Sequence, residues 1–259
     1  MARTQRDSIA RARTLYDKRL SAQSTQQMRG LLETSAADAA ALIATTALCD
    51  YLNRWNAAGP AEVAKAETAV QHALALNPTH FLAHYAKGFL HRARGQHEAA
   101  LAAFTEALEH NPGFARGHAQ KGAELLYLGR PEEAIVEVEK AIELNPRSPS
   151  LGMFYWIIGR ARFFMGQYAE AITWLQRSVK LWPNLWYNRL YLVSAHALLG
   201  NESAASRALR DFDREFPGHT LAHVVADEGT NPNKNRFVVS GRRRFHDGLR
   251  RAGMSSGDD

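Results

Sequence analysis

Eleven histidines and a single cysteine are the side chains through which this 259-residue chain could bind metal or transfer protons. His80 and His84 stand four apart, a spacing that brings two imidazoles to one helix face. No Glu lies beside them, and neither cysteine nor a second histidine pair completes a ligand set. No metal site and no cofactor is therefore expected. The chain also lacks a Gly-rich phosphate loop, a nucleophile elbow and a Cys/His dyad. Its carboxylates, as in Glu132-Glu133 and Glu137-Glu139, sit in amphipathic stretches and read as solvated faces. No catalytic residue is assigned, and the chain is not expected to be an enzyme.

Recognition is the chemistry the residues suit better. Tyr85, Phe89 and Arg92 are spaced i, i+4, i+7, one stripe on one helix, and Trp156, Arg160 and Phe163 repeat that spacing. Tyr51 with Trp55, and Tyr187 with Tyr191, extend the pattern at either end, while Arg116 and Gln120 lie between, beside the small Ala119 and Ala123. Aromatic area dotted with arginine forks suits a peptide or partner protein bearing acidic groups. The competing expectation is that these rings pack between repeats, or that a terminal helix fills the groove they would line.

The elements that must position these side chains repeat. Pro78, Pro112, Pro146, Pro183 and Pro217 recur at spacings of 34, 34, 37 and 34 residues. Ala66, Ala100, Ala134, Ala171 and Ala205 fall in step, as do Gly95, Gly129, Gly166 and Gly200. A closing proline stops the second helix of each unit, and a glycine able to take positive φ ends the first. Arg130-Pro131-Glu132-Glu133 places proline at a first helical position with carboxylates over the positive helix end. Gly88, Gly122 and Gly159 leave room for the paired helix, although Val193 stands at that place in the last unit. A period of 34 residues with this punctuation resembles the tetratricopeptide (TPR) helix–turn–helix unit. The resemblance implies an all-α TPR solenoid: a right-handed superhelix of about five repeats with capping helices at both ends, its first helices lining a concave groove. Lys87 and Lys121 depart from the pattern, standing where such units usually carry leucine.

Taken in order, residues 1–34 are expected to form a basic N-terminal helix, with Ile9, Ala12, Tyr16 and Leu20 on one face, and a polar link. Residues 35–217 hold the array, with repeats at about 47–80, 81–114, 115–148, 152–185 and 186–217. The three-residue lengthening falls at Arg147-Ser148-Pro149-Ser150, a turn signal. Residues 218–254 read as capping helices, the last with a stripe of Phe237, Gly241, Phe245 and Leu249, and 255–259 as a disordered tail.

Charge is uneven. Of a formal net charge of +6, residues 1–30 carry seven basic against two acidic groups and residues 232–251 seven against one. Basic ends suggest anionic contacts at the termini, but a pair of solvated helical caps is the favoured reading, and nucleic acid is not the expected partner. Residues 1–20 show no apolar signal core, and the most apolar run, Met153 to Met165, is too short to span a bilayer. With Cys49 alone, no disulfide framework is possible, and a cytoplasmic location is expected.

Three further segments carry a narrower resemblance: Leu144-Asn-Pro-Arg-Ser-Pro149, Phe164-Met-Gly-Gln-Tyr-Ala-Glu-Ala-Ile172-Thr-Trp and Gly248-Leu-Arg-Arg-Ala-Gly-Met254. They resemble the repeat region C-terminal to the catalytic domain of bacterial class III adenylate cyclases, over roughly residues 60 to 254. No catalytic domain accompanies them, so the resemblance implies at most a regulatory or scaffolding relative with a possible cyclase-type signalling partner. Three functions are thus in view: a cytoplasmic scaffold binding a peptide or partner protein in its groove, a regulatory subunit or remnant of a cyclase system, and an anionic-surface or nucleic-acid binder acting through its basic ends.

Overall fold

A computed structural model of the chain describes residues 60–229 and 233–257, and every element in them is an α-helix. In chain order these are α1 (Pro60–Leu76), α2 (Phe81–Ala93), α3 (His97–His110), α4 (Ala115–Tyr127), α5 (Pro131–Leu144), α6 (Leu151–Phe164), α7 (Tyr168–Leu181), α8 (Trp186–Leu198), α9 (Glu202–Glu215), α10 (Leu221–Gly229) and α11 (Arg236–Ala252). Helices α2/α3, α4/α5, α6/α7 and α8/α9 are four helical hairpins in the expected register. The basic N-terminal helix, the first helix of the first repeat, Tyr51 and Trp55 lie outside the described residues.

The punctuation works as its chemistry dictates. Gly95, Gly129, Gly166 and Gly200 take φ between 69° and 82°, closing the first helix of each hairpin in a left-handed conformation. Pro131 opens α5 with Glu132 and Glu133 in its first turn, and Arg130 grips Glu133 through two N–H groups at 2.7 and 2.6 Å. Close approach is real at Gly122, where a Cβ would come within 2.8 Å of the Ala134 carbonyl oxygen and 2.6 Å of Val138. The lengthened junction is a turn, with Ser148 Oγ accepting from the Ser150 N–H at 3.1 Å.

The chain divides after Gly117 into two compact units. In the first, Ala66 and Val70 of α1 join Tyr85, Ala86, Phe89 and Leu90 of α2 and Ala100, Phe104 and Ala107 of α3 in one core. In the second, the cores of successive hairpins are built from Leu126, Val138, Phe154, Ile158, Leu175, Leu190 and Phe212, all fully buried. Ser178 and Asn188 bridge buried backbone there: Ser178 Oγ donates to the Gly152 carbonyl at 2.8 Å, and Asn188 Nδ2 donates to Ser178 Oγ and the Trp182 carbonyl at 3.2 and 3.1 Å.

Two expectations about the C-terminus change. Residues 255–257 belong to the fold instead of a disordered tail. The carbonyls of Ser255 and Ser256 accept from Leu221 and Ala222 at 2.9 and 3.1 Å, satisfying N–H groups that the start of α10 leaves without intrahelical partners. And α11 is more than an end cap. Its main partner is α8, the first helix of the last hairpin, and it continues onto α6. Of the expected stripe, Gly241, Phe245 and Leu249 are buried together with Val238, whereas Phe237 is half-buried, 6.0 Å from the Phe164 ring.

Candidate functional site

The aromatic and arginine positions separate into two groups. In α2, Tyr85 is 0% exposed and Phe89 3%. Their rings meet edge-on at 5.0 Å, and Tyr85 also meets Phe104 and Phe114 at 5.5 and 4.9 Å. The small Ala86, Ala100 and Ala107 leave the volume these rings fill. The expectation that Tyr85 and Phe89 offer contact area to a ligand is corrected: they are hairpin core. Arg92 is half-buried over Phe89 and Phe104, at 5.0 and 5.3 Å, and Arg116 stands 6.0 Å from the Tyr85 ring.

In the second unit, the first helices bring the remaining positions together. Gln120 is buried and points its amide at the Met153 sulfur, 3.2 Å away. Arg160 is half-buried, with its guanidinium 4.6, 5.6 and 5.7 Å from the rings of Tyr127, Trp156 and Phe164. An N–H of Arg160 reaches the Tyr127 hydroxyl oxygen at 3.4 Å. This residue is a packing hub between turns of α4 and α6, not an open carboxylate fork. Phe163 is fully buried, and Tyr191 meets Trp156 and Phe163 edge-on at 5.1 and 5.0 Å. Burial pushes the Tyr187 and Tyr191 phenols upward, with the nearby Glu228 carboxylate adding to the shift.

What covers these rings is α11. The Phe245 ring stacks on Tyr191 with centroids 3.9 Å apart and planes 9° from parallel, and it reaches Phe163 and Tyr187 at 6.3 and 6.2 Å. Polar contacts fix its register against three successive first helices. Asn233 and Asn235 donate to the carbonyls of Tyr127 and Leu128, each at 2.9 Å, at the end of α4. Arg244 donates to the Phe164 carbonyl at the end of α6. Ser194 Oγ donates to the Phe245 carbonyl at 2.9 Å on α8. Small residues let the backbones touch: a Cβ on Gly241 would lie 2.5 Å from the Phe164 ring, and one on Gly248 would lie 2.7 Å from the Ser194 carbonyl oxygen. On its outer side Glu228 of α10 accepts from His246 at 2.9 Å and lies 4.0 Å from Arg242. The apolar stripe of α11 was legible in the sequence. A terminal helix over these rings was one of the competing expectations, but its contacts were not legible, because no local signal links Asn235 to a carbonyl more than a hundred residues earlier.

The lysines that break the repeat pattern serve ion pairs across a hairpin. Lys121 Nζ lies 2.6 Å from Glu137, which His118 also contacts at 2.7 Å. Burial alone would raise the Glu137 carboxyl, but the His118 and Lys121 hydrogen bonds outweigh it and hold it down at about 2. One hairpin earlier, Lys87 and His84 face Glu106. His80 and His84 turn to different partners. His80 caps α2 by accepting from the Ala83 N–H at 3.2 Å, while His84 Nε2 turns to the Pro78 carbonyl at 2.7 Å.

Comparison with known proteins agrees with this geometry. The tetratricopeptide repeat family matches residues 81–114, and again residues 120–185. No curated protein sequence matches the chain. Among solved structures, PilW, described as a widely conserved type IV pilus biogenesis factor, superimposes with a TM-score of 0.61 at 18% identity, over 79% of this chain and 90% of PilW. The pilF protein of Pseudomonas aeruginosa gives 0.60 at 19% identity, over 84% of this chain and 96% of that one. A thermophilic repeat protein of Thermus thermophilus gives 0.54 at 18% identity, over 72% and 98%. Identities this low speak for the fold alone. None of these findings supports the resemblance to adenylate cyclases. No described helix is long and apolar enough to cross a membrane.

Proposed function

We propose, from the premise that this chain is a tetratricopeptide-repeat protein, that it is an interaction scaffold whose last two hairpins recognise an amphipathic helix of a partner protein. The observation that supports this reading is the stack of Phe245 on Tyr191, 3.9 Å apart. The face built by Tyr187, Tyr191, Phe163 and Trp156 already accommodates one amphipathic helix, α11. A partner helix would use the same features: a ring on Tyr191, small residues where backbones meet, and polar groups on first-helix carbonyls. The reducing environment that suits a chain with one cysteine supports a cytoplasmic site of action.

The test uses a fluorescent peptide of residues 233–254 and a chain truncated after residue 232. Fluorescence anisotropy should show the peptide binding the truncated chain in trans, and binding the intact chain far more weakly because α11 occupies the face. Tyr191→Ala in the truncated chain should reduce the affinity at least about tenfold, as for a central aromatic anchor. A truncated chain that keeps its helical circular dichroism but ignores the peptide would refute the reading. Recovery of the protein from a periplasmic fraction would refute the location.

A further inference from the structure

We propose that His84, Glu106 and His110 form a binding site for a divalent transition metal, with zinc the ion its donors suit best. The three potential ligand atoms lie within 4.8 Å of one another, in one hairpin of the first unit. Glu106 and His110 stand one turn apart on α3, and His84 reaches them from α2.

The argument rests on where the protons of His84 must be. Its Nε2 lies 2.7 Å from the Pro78 carbonyl oxygen, which can only accept, so Nε2 carries a hydrogen. In the neutral ring Nδ1 is then a bare lone pair. That atom is buried, makes no hydrogen bond, and faces a Glu106 carboxylate oxygen 3.1 Å away. A buried imidazole lone pair held face to face with a half-exposed carboxylate calls for a cation between them. A proton would have to lie in a direction the geometry does not favour for a hydrogen bond. A metal needs only lone pairs converging on one point.

The third donor is in place. The His110 ring lies 5.2 Å from that of His84, tilted by 35°, and its side chain is exposed at the end of α3. Tetrahedral zinc with bonds of roughly 2.0–2.1 Å holds its ligand atoms about 3.3 Å apart. The His84–Glu106 pair already has that separation, and a solvent-exposed His110 has the freedom to close. Two imidazoles and one carboxylate, with the solvent side left for water, make a nitrogen-rich set that prefers zinc, nickel, cobalt or copper to calcium or magnesium. The Pro78 carbonyl supplies the outer hydrogen bond that metal-ligating histidines usually have, fixing the tautomer and aiming the lone pair.

Lys87 argues on the other side, since its ammonium lies 3.8 Å from the same Glu106 oxygen. That distance is long for an ion pair, and both side chains are half-exposed, so their contact is weak. The next hairpin shows the contrasting, satisfied arrangement. There His118 and Lys121 both reach Glu137 at 2.7 and 2.6 Å, and among the described residues no third metal donor joins them.

Isothermal titration of the untagged, chelator-treated full chain with zinc chloride tests the proposal. One equivalent should bind, with a rise in melting temperature, and cobalt(II) should give the visible d–d band of a tetrahedral site. Glu106→Gln and His110→Ala are surface changes that leave the core alone. Each should weaken zinc at least about tenfold and abolish the cobalt band, with His72→Ala, an exposed histidine outside the cluster, as the unaffected control. Lys87→Met should tighten binding by removing the competing charge. Absence of a one-to-one event, or wild-type affinity in both ligand variants, would overturn the assignment.

Discussion

At the scale of single residues, Glu137 and Arg160 are each tied to specific partners, and this gives them measurable signatures. Glu137 remains ionised in the folded protein down to about 2, whereas a carboxyl of its ordinary kind takes up a proton near 4.5. Its depressed value means that its contribution to stability is complete above pH 4.5 and fades as the pH falls towards 2. Urea unfolding of Glu137→Gln should therefore show a deficit near neutrality that shrinks in acid. A deficit constant across that window would mean that His118 and Lys121 do not hold the charge. Arg160 carries a second prediction. Its guanidinium is wedged among Tyr127, Trp156 and Phe164, so Arg160→Ala should lower stability by about 1–3 kcal/mol, read by chemical denaturation. Arg160→Lys should recover only part of this, because an ammonium lacks the planar face that stacks on rings. An unchanged denaturation midpoint in Arg160→Ala would return the residue to the role of an exposed fork.

At the scale of elements, α11 is the decisive one, and its glycines carry its docking. Gly248 sits where a Cβ would press on the Ser194 carbonyl oxygen and Cα, at 2.7 and 2.9 Å. In an isolated helix Gly248→Ala would stabilise by about 1 kcal/mol through backbone propensity. In this protein it should destabilise by about 1–3 kcal/mol through overpacking against α8. Calorimetry or urea titration settles the sign, and a stabilised variant would show that α11 does not sit on α8 in solution. The lengthened junction before α6 illustrates the opposite kind of element: a turn long enough to absorb three extra residues without disturbing the hairpin it precedes.

At the scale of the whole molecule, the charge of +6 sets a prediction about association. If the basic ends only solvate helices, binding to nonspecific duplex DNA should be undetectable at about 0.15 M salt, where exposed charges are screened beyond roughly 8 Å. A complex that survives there with a steep salt slope would instead identify phosphate as a partner. Electrophoretic mobility shifts across a salt series distinguish the two.

Much of the architecture was legible from residue types alone, because each mark in the repeat has a local cause. Gly95 and its counterparts end helices since only glycine takes positive φ freely, Pro131 starts one since its missing N–H is not needed there, and the alanines at a 34-residue period admit a neighbouring helix. Those requirements are satisfied within a turn or a hairpin, and so the chain sequence determined its own fold class, its register and the apolar stripe of α11. What fills the first-helix face was decided elsewhere. Tyr85 and Phe89 had the spacing of a binding stripe, yet the volume left by Ala86, Ala100 and Ala107 drew them into the core. Tyr187 and Tyr191 had the same signature and ended beneath Phe245, which is more than fifty residues further along the chain. His84 had a sequence neighbour at the right spacing, but its lone pair faces Glu106 from the next helix. In each case the deciding partner is distant in sequence. An i, i+4 pattern specifies which side chains share a face, and only the packed tertiary structure specifies what that face meets.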